Sequence, residues 1–89
     1  MADTINDIDV PTGDWVSAYA LTSIAVGVAI TVQAKGDYLL SQVKATKPSA
    51  SDTNGVVLVP FEHYDIPTGA SGLWLRAVNF QTKANVQES

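Results

Sequence analysis

The sequence predicts an all-β protein, namely a single small antiparallel β-sandwich of jelly-roll or immunoglobulin-like type. Six to seven short strands with an extended N-terminal arm are expected. Apolar and polar residues alternate with the period of a strand, and Gly- and Pro-rich turn signals recur about every eight to twelve residues. No strand–helix alternation and no heptad pattern occurs in the 89 residues. The chain is short enough for one domain, which we divide into an arm, residues 1–14, and a sandwich, residues 15–89.

A repeated pentapeptide, Asp-(Val/Ile)-Pro-Thr-Gly, supplies the clearest turn signal. It occupies residues 9–13 and 65–69, and each copy precedes one of the two tryptophans, Trp15 and Trp74. Proline fixes φ where the turn begins, glycine permits a positive φ where it ends, and Asp or Thr can bond the local backbone. Each copy therefore predicts a turn that leads into a strand with a large aromatic anchor. Gly69 is expected to have either a positive φ or a tightly packed Cα.

Residues 15–34 contain no charge, and this length is also that of a membrane span. Serine, threonine and glutamine dilute the hydrophobicity, and β-branched residues alternate in the second half of the segment. We therefore expect two strands, at residues 15–21 and 25–33, and keep a membrane-spanning helix as a remote alternative. The second strand is expected to turn four residues to the core: Val26, Val28, Ile30 and Val32.

The remaining elements follow from the same patterns. Further strands are expected at residues 38–43, 56–61, 72–78 and 84–87, with a short edge strand near residues 62–64. Residues 56–61 are apolar at nearly every position, which predicts a strand buried on both faces. The long polar stretch 44–54 predicts a surface loop of the type used for contacts.

Composition excludes several classes of function. The net charge is −4 and the five basic residues are scattered, so a nucleic-acid site is not expected. Cysteine is absent, which removes disulfides, thiolate metal sites and cysteine nucleophiles. Charged residues make up only 16% of the chain while hydrophobic residues make up 46%. So few charges on a small domain indicate that part of its surface is hidden in an assembly.

The residues provide little for catalysis or metal binding. His63 is the single histidine, and only Asp65 lies on the same face of an extended segment, since Glu62 points the other way. Asp7 and Asp9 could present two carboxylates, but the spacing of a calcium loop is missing. No serine lies in a Gly-x-Ser-x-Gly context. We therefore expect neither enzymatic activity nor a cofactor nor a metal.

Contacts with partner proteins are instead expected from three regions. The candidate residues are Ile5, Ile8, Val10, Lys47, Pro48, Trp74 and Arg76. The first three recur among the aspartates of the arm, which we expect to lie across a neighbouring subunit with its carboxylates on bases there. The alternative is a disordered leader that makes no contacts. Lys47 and Pro48 belong to the polar loop. Arg76 shares a face with Trp74 and is expected to stack on its ring.

Several of these segments, taken in order, resemble a known family. They are the strand starting at residues 14–16, the run Val-Gly-Val-Ala-Ile-Thr-Val-Gln-Ala-Lys-Gly at 26–36, the Lys-Pro-Ser loop at 47–49, and Gly-Leu-Trp-Leu-Arg-Ala at 72–77. Over residues 14–78 the chain resembles small virion proteins of tailed bacteriophages. Ala34 stands where the family pattern has asparagine, so the turn there departs from it.

The resemblance implies a β-sandwich without catalysis that serves as a capsid decoration (cement) subunit or as a tail or fibre component. It implies other virion proteins, major capsid or tail proteins, as partners, a homo-oligomeric state, and a place in virions assembled in the cytoplasm of a bacterial host. No membrane or nucleic-acid partner is implied. A carbohydrate- or receptor-binding module of a tail fibre is the second hypothesis, which needs an exposed aromatic pair near carboxylates. The family motifs mark strands and turns, so no functional residue transfers.

Overall fold

The computed structural model describes residues 5–89 as two antiparallel four-stranded sheets packed against each other, which confirms the small all-β sandwich. Sheet A has the order β1-β8-β3-β6 and sheet B the order β2-β7-β4-β5. The elements are β1 (Ile8–Val10), β2 (Val16–Ser17), α1 (Ala18–Thr22), β3 (Ile30–Lys35), β4 (Leu39–Val43), β5 (Val56–Leu58), β6 (His63–Ile66), β7 (Leu73–Ala77) and β8 (Thr82–Glu88). The described residues thus form eight strands, where six or seven were expected.

The chain crosses between the sheets at every connection except the one from β4 to β5. As a result β1 and β2 form the edges on one side of the sandwich, and β5 and β6 form the edges on the other. Residues 59–62 connect these last two edges. The backbone of this connection is bonded to β3, because Phe61 N–H donates to Ala34 O at 2.7 Å.

Alternating side chains build the core between the sheets. Leu73, Leu75 and Ala77 of β7 are buried, as the alternation predicted, and so are Ile30 and Val32 of β3. This pattern suits strands that have one face on a core.

The predicted strand at 25–33 begins later than expected. Val28 is half-buried against the core, but Val26 is 61% exposed, so its predicted inward position is wrong. The reason is Gly27, whose φ of 96° lies in a turn that precedes Ile30, the first residue of β3. The period of a strand cannot apply to a residue within a turn.

The predicted strand at 15–21 is also shorter than expected, because a helical turn replaces most of it. Ser17 ends β2 and caps α1, its Oγ accepting from Ala20 N–H at 3.1 Å. The helix stops at Ser23, which has a φ of 62°. Residues 15–34 are therefore two short strands around a five-residue helix. In the described part of the chain, no helix has the length and apolarity needed to cross a membrane.

The two pentapeptide turns differ in detail. Gly69 has the predicted positive φ, 94°, and its N–H donates to Gly27 O at 2.9 Å. Gly13 does not have a positive φ. In the first copy Pro11 O accepts from Ala77 N–H at 2.9 Å, which fixes this turn to the end of β7.

The N-terminal segment belongs to the sandwich rather than forming a separate arm. Ile8, Asp9 and Val10 pair with Ala84, Lys83 and Thr82 of β8, respectively. The boundary at residue 14 therefore does not separate an arm from the sheets. Residues 1–4, the first part of the predicted arm, lie outside the described residues.

Candidate assembly surface

Arg76 organises one half of the outer face of sheet B. From β7, its Nη2 and Nε donate to Thr12 O at 2.7 and 3.2 Å, and its Nη1 donates to Ala50 O at 2.6 Å and to Asp52 O at 3.2 Å. The guanidinium carbon lies 5.6 Å from the centre of the Trp15 ring. One side chain thus joins the first pentapeptide turn, the polar loop and the sheet.

The two tryptophans fix the same loop at its ends. Trp15 Nε1 donates to Asp52 O at 3.0 Å, and Trp74 Nε1 donates to Lys44 O at 2.9 Å. The expectation that Arg76 stacks on Trp74 is wrong, because its cation–π partner is Trp15. We call this set of contacts, made by Trp15, Trp74 and Arg76 with the loop 44–54, the loop clamp.

The loop residues chosen from the sequence are also used within the chain. Lys47 Nζ lies 2.7 Å from Asp14 Oδ2, and this bond, with the N–H of Trp15, holds the pKa of Asp14 below its ordinary value. Pro48 is buried, so it does not offer a surface to a partner. Lys47, Trp74 and Arg76 therefore already have partners within the chain, and Pro48 is buried.

The apolar residues of the predicted arm face inward. Ile8 and Val10 are buried in the core, and Ile5 packs against it from a half-buried position. The backbone of Ile5 bonds to the Gln87 amide twice, its N–H donating at 2.9 Å and its carbonyl accepting at 2.8 Å. The expectation that a neighbouring subunit covers these residues is corrected: their own sheet covers them.

The aspartates of this segment likewise pair with bases of their own chain. Asp7 Oδ2 lies 2.8 Å from Lys35 Nζ, and Asp9 Oδ1 lies 2.6 Å from Lys83 Nζ. Hydrogen bonds from Lys35 and Asn85 hold the pKa of Asp7 below its ordinary value, and the bond to Asp9 raises the pKa of Lys83. These carboxylates are therefore already matched, rather than left for a partner.

The other half of the outer face of sheet B lacks such a covering. It carries a row of apolar side chains that point away from the core, which we call the open face: Tyr38, Leu40, Val57, Val59 and Val78. Leu40 lies opposite Val57 of β5, and Tyr38 O accepts from Val78 N–H at 3.1 Å. All but Leu40 are exposed.

The open face continues to the edge of the sandwich. Within residues 5–89, β5 pairs with β4 alone, so its outer edge has no partner strand there. The expectation that residues 56–61 are buried on both faces is wrong, since Leu58 is the buried one and both Val56 and Val57 are exposed. Exposed, apolar strand edges are sites where other chains add.

Phe61 stands next to this edge in an unusual conformation. Its φ is 68°, which is uncommon for a bulky residue, and its side chain is 66% exposed. The backbone is fixed on both sides, since its N–H bonds to Ala34 and its carbonyl accepts from Gln33 Nε2 at 3.1 Å. The fold therefore presents an aromatic ring to solvent on a turn whose backbone is held by two hydrogen bonds.

The residues weighed for chemistry do not assemble into a site. Asp65, the expected neighbour of His63, accepts from Thr31 Oγ1 at 2.9 Å instead. Among the described residues no group of three metal-ligating side chains occurs, and no concave pocket is found.

One feature of the sequence is common to a buried strand and to the open face. Residues 56–61 are apolar at nearly every position, a pattern that predicts a strand buried on both faces. The same run is equally typical of an edge that associates with another molecule. Only its position at the end of sheet B distinguishes the two interpretations.

The fold and surface define the class of protein as an antiparallel β-sandwich. The loop 44–54 covers one half of the outer face of sheet B, and the other half is apolar and exposed. No family model, curated protein or solved structure matches the chain.

Proposed function

We propose that this chain is a non-enzymatic virion structural protein, a capsid decoration (cement) subunit that binds neighbouring virion proteins and stabilises the particle. Its work is to form protein–protein contacts in a virion assembled inside a bacterial host. The resemblance over residues 14–78 supports the virion, and the open face supports the mode of action.

The open face is the observation that carries the proposal. It is a contiguous apolar surface on three neighbouring strands, β7, β4 and β5, and the residues next to them. Its members are Tyr38, Leu40, Val57, Val59 and Val78. Contiguous exposed apolar patches on small proteins mark interaction sites, because water contact with such a surface is unfavourable. Interfaces are depleted of charge at their centre, and none of these five side chains carries a charge.

The loop clamp holds the covered half of the outer face of sheet B in place beside the open face. Arg76 and both indoles bind backbone carbonyls of the loop, so the boundary between the covered and open halves is fixed by hydrogen bonds. A surface that does not reorganise loses less conformational entropy on binding. A rigid apolar patch suits a subunit that binds one repeated surface of a particle.

The carbohydrate-binding alternative has weaker geometry. Tyr38 and Phe80 are exposed aromatics beside Asp37, the arrangement that this hypothesis requires. However, Asp37 is only 3% exposed, and its oxygens accept from Asn79 N–H, Asn79 Nδ2 and Phe80 N–H at 2.7, 2.9 and 3.1 Å, respectively. That carboxylate is fully occupied and cannot bind a sugar hydroxyl.

The proposal is tested on purified virions that contain this chain. Quantitative mass spectrometry is expected to find it in many copies per particle, and cryo-electron microscopy to place it on the capsid surface with the open face against another subunit. Its absence from particles would reject the proposal. Location on the tail would replace decoration by the tail role, and binding on a glycan array would favour the second hypothesis.

A matched pair of variants tests the surface itself. Val78→Glu places a charge on the open face, far from the edge strand β5, whereas Val26→Glu makes the same change at an exposed turn outside it. We expect Val78→Glu to lower incorporation into particles at least tenfold and Val26→Glu to leave it unchanged. Equal incorporation of both variants would show that the open face is not the contact.

A further inference from the structure

The four sheet edges formed by residues 5–89 differ in their charge. The β1 edge contains Asp9 and follows Asp7, and the β6 edge contains Asp65 and follows Glu62. The β2 edge has only two residues before the chain turns into α1. Charges, shortness and covering are the means by which proteins protect edges from pairing.

The β5 edge is also short, at three residues, but it carries no charged side chain, and within residues 5–89 it pairs with β4 alone. It lies within residues 53–61, where no charged side chain occurs, and the strand itself is Val-Val-Leu. Val56 and Val57 are both exposed at this edge. Alternate residues of an edge strand direct N–H and C=O groups outward, and these groups can bond to an added strand.

Charge decides which strand can be added. The chain carries a net charge of −4, so two copies repel each other on average, and an uncharged edge is where this repulsion opposes pairing least. If β5 of one copy met β1 or β6 of another, a carboxylate would enter the new ladder. Pairing of β5 with β5 brings no charged residue into it. An antiparallel pair of identical strands is also self-complementary about a two-fold axis.

We propose that two copies of this chain associate through β5, which pairs antiparallel with β5 of the second copy and joins the two B sheets into one eight-stranded sheet. The two open faces then lie side by side on the same surface of the joined sheet, which doubles the apolar area offered to the particle. This inference deepens the proposed function, on which it rests, because it names one of the proteins that the subunit binds: a second copy of itself. Since β5 is short, the dimer is expected to depend on concentration.

Sedimentation equilibrium of the purified chain tests the dimer without any virion. We expect a reversible monomer–dimer equilibrium between micromolar and hundreds of micromolar concentrations. Val56→Lys places a charge on the edge, whereas Val26→Lys makes the same change at a similar exposure, 65% for Val56 and 61% for Val26. The first variant should weaken the dimer at least tenfold and the second should leave it unchanged. Circular dichroism checks that both fold.

Cysteine cross-linking tests the strand pairing directly, because the chain has no cysteine of its own. Val57 is the middle residue of β5, so Val57→Cys places two thiols close to the two-fold axis, within reach of a disulfide. Oxidation should yield a disulfide-linked dimer for Val57→Cys and none for Val26→Cys.

A wild-type chain that stays monomeric, or a dimer that Val56→Lys leaves intact and Val57→Cys does not cross-link, would overturn the inference. The virion proposal is unaffected by either result, since a monomer can also decorate a particle. Conversely, a dimer in solution with no chain in virions would reject the proposed function and leave the β5 pairing standing.

Discussion

Replacing Arg76 by alanine should loosen the half of sheet B that the loop clamp covers. The side chain contacts three carbonyl oxygens, those of Thr12, Ala50 and Asp52, and lies against the Trp15 ring. Arg76→Ala removes all of these contacts at once but leaves the core residues between the sheets untouched. The expected result is a folded but less stable protein with a mobile loop.

The size of the effect follows from the contacts. A net contribution of about 1 kcal/mol for each of the three carbonyls, which can rehydrate when the side chain is removed, gives about 3 kcal/mol. The cation–π contact adds about 0.5–1 kcal/mol, and the entropy regained by the loop subtracts a similar amount. A domain of this length has a free energy of unfolding of about 4–13 kcal/mol. A loss of about 3 kcal/mol lowers Tm by roughly 10–25 °C.

Urea denaturation followed by tryptophan fluorescence measures this loss. Arg76→Lys keeps the charge but not the planar fork, so it should lose about half as much. Lys44→Ala is the control, because it removes a positive charge from the same loop while the Lys44 carbonyl still accepts from Trp74. Cleavage of the loop 44–54 by proteinase K, which does not require a lysine, should accelerate in Arg76→Ala only. A loss below about 1 kcal/mol with unchanged cleavage would refute the loop clamp.

Three further predictions follow from the fold. Burial alone would raise the pKa of Asp37, but hydrogen bonds from Asn79, Phe80 and Tyr38 hold it below its ordinary value. The ionised Asp37 therefore stabilises the fold above the unfolded pKa, and this contribution is lost as pH falls through the folded pKa. Asp37→Asn should flatten the acid side of a curve of unfolding free energy against pH. An unchanged curve would contradict this. Gly69→Ala should cost on the order of 1 kcal/mol because of the positive φ, and an unchanged Tm would argue that this turn is ordinary. Deletion of residues 1–13 should abolish cooperative unfolding in calorimetry, because it removes β1 with buried Ile8 and Val10; a truncated chain that still melts cooperatively would restore the separate arm.

The sequence predicted well where a strand has one face on the core. In β7 every second residue is apolar and buried, so the alternation alone gave both the strand and its orientation. The positive φ of Gly69 was predictable for a similar reason, since the conformation of a Pro-Thr-Gly turn is a local property.

Prediction failed where position within the sheets mattered more than local pattern. Apolar residues 56–61 resemble a central strand, yet β5 is an edge. Ile8 and Val10 alternate with aspartates, which resembles a solvated arm, yet they form β1 in the core. Neither outcome can be predicted from the residues of the segment alone, because the pairing of β5 with β4 and of β1 with β8 depends on residues elsewhere in the chain.

The candidate contact residues show the same division. Trp74 and Arg76 were correctly placed on one face of one strand, because residues two apart in a strand share a face. The sequence could not show that the loop 44–54 folds over that face and takes up their donors.

By itself, the sequence determined the β class, the turns and the orientation of the strands with one buried face, because these depend on steric preferences and periodicity within a few residues. Only the tertiary structure decided which apolar residues are covered. Whether Val10 or Val57 meets a core or solvent depends on which strands flank it, and that order is set by packing across the whole chain. The open face is therefore a product of the fold rather than of any one segment.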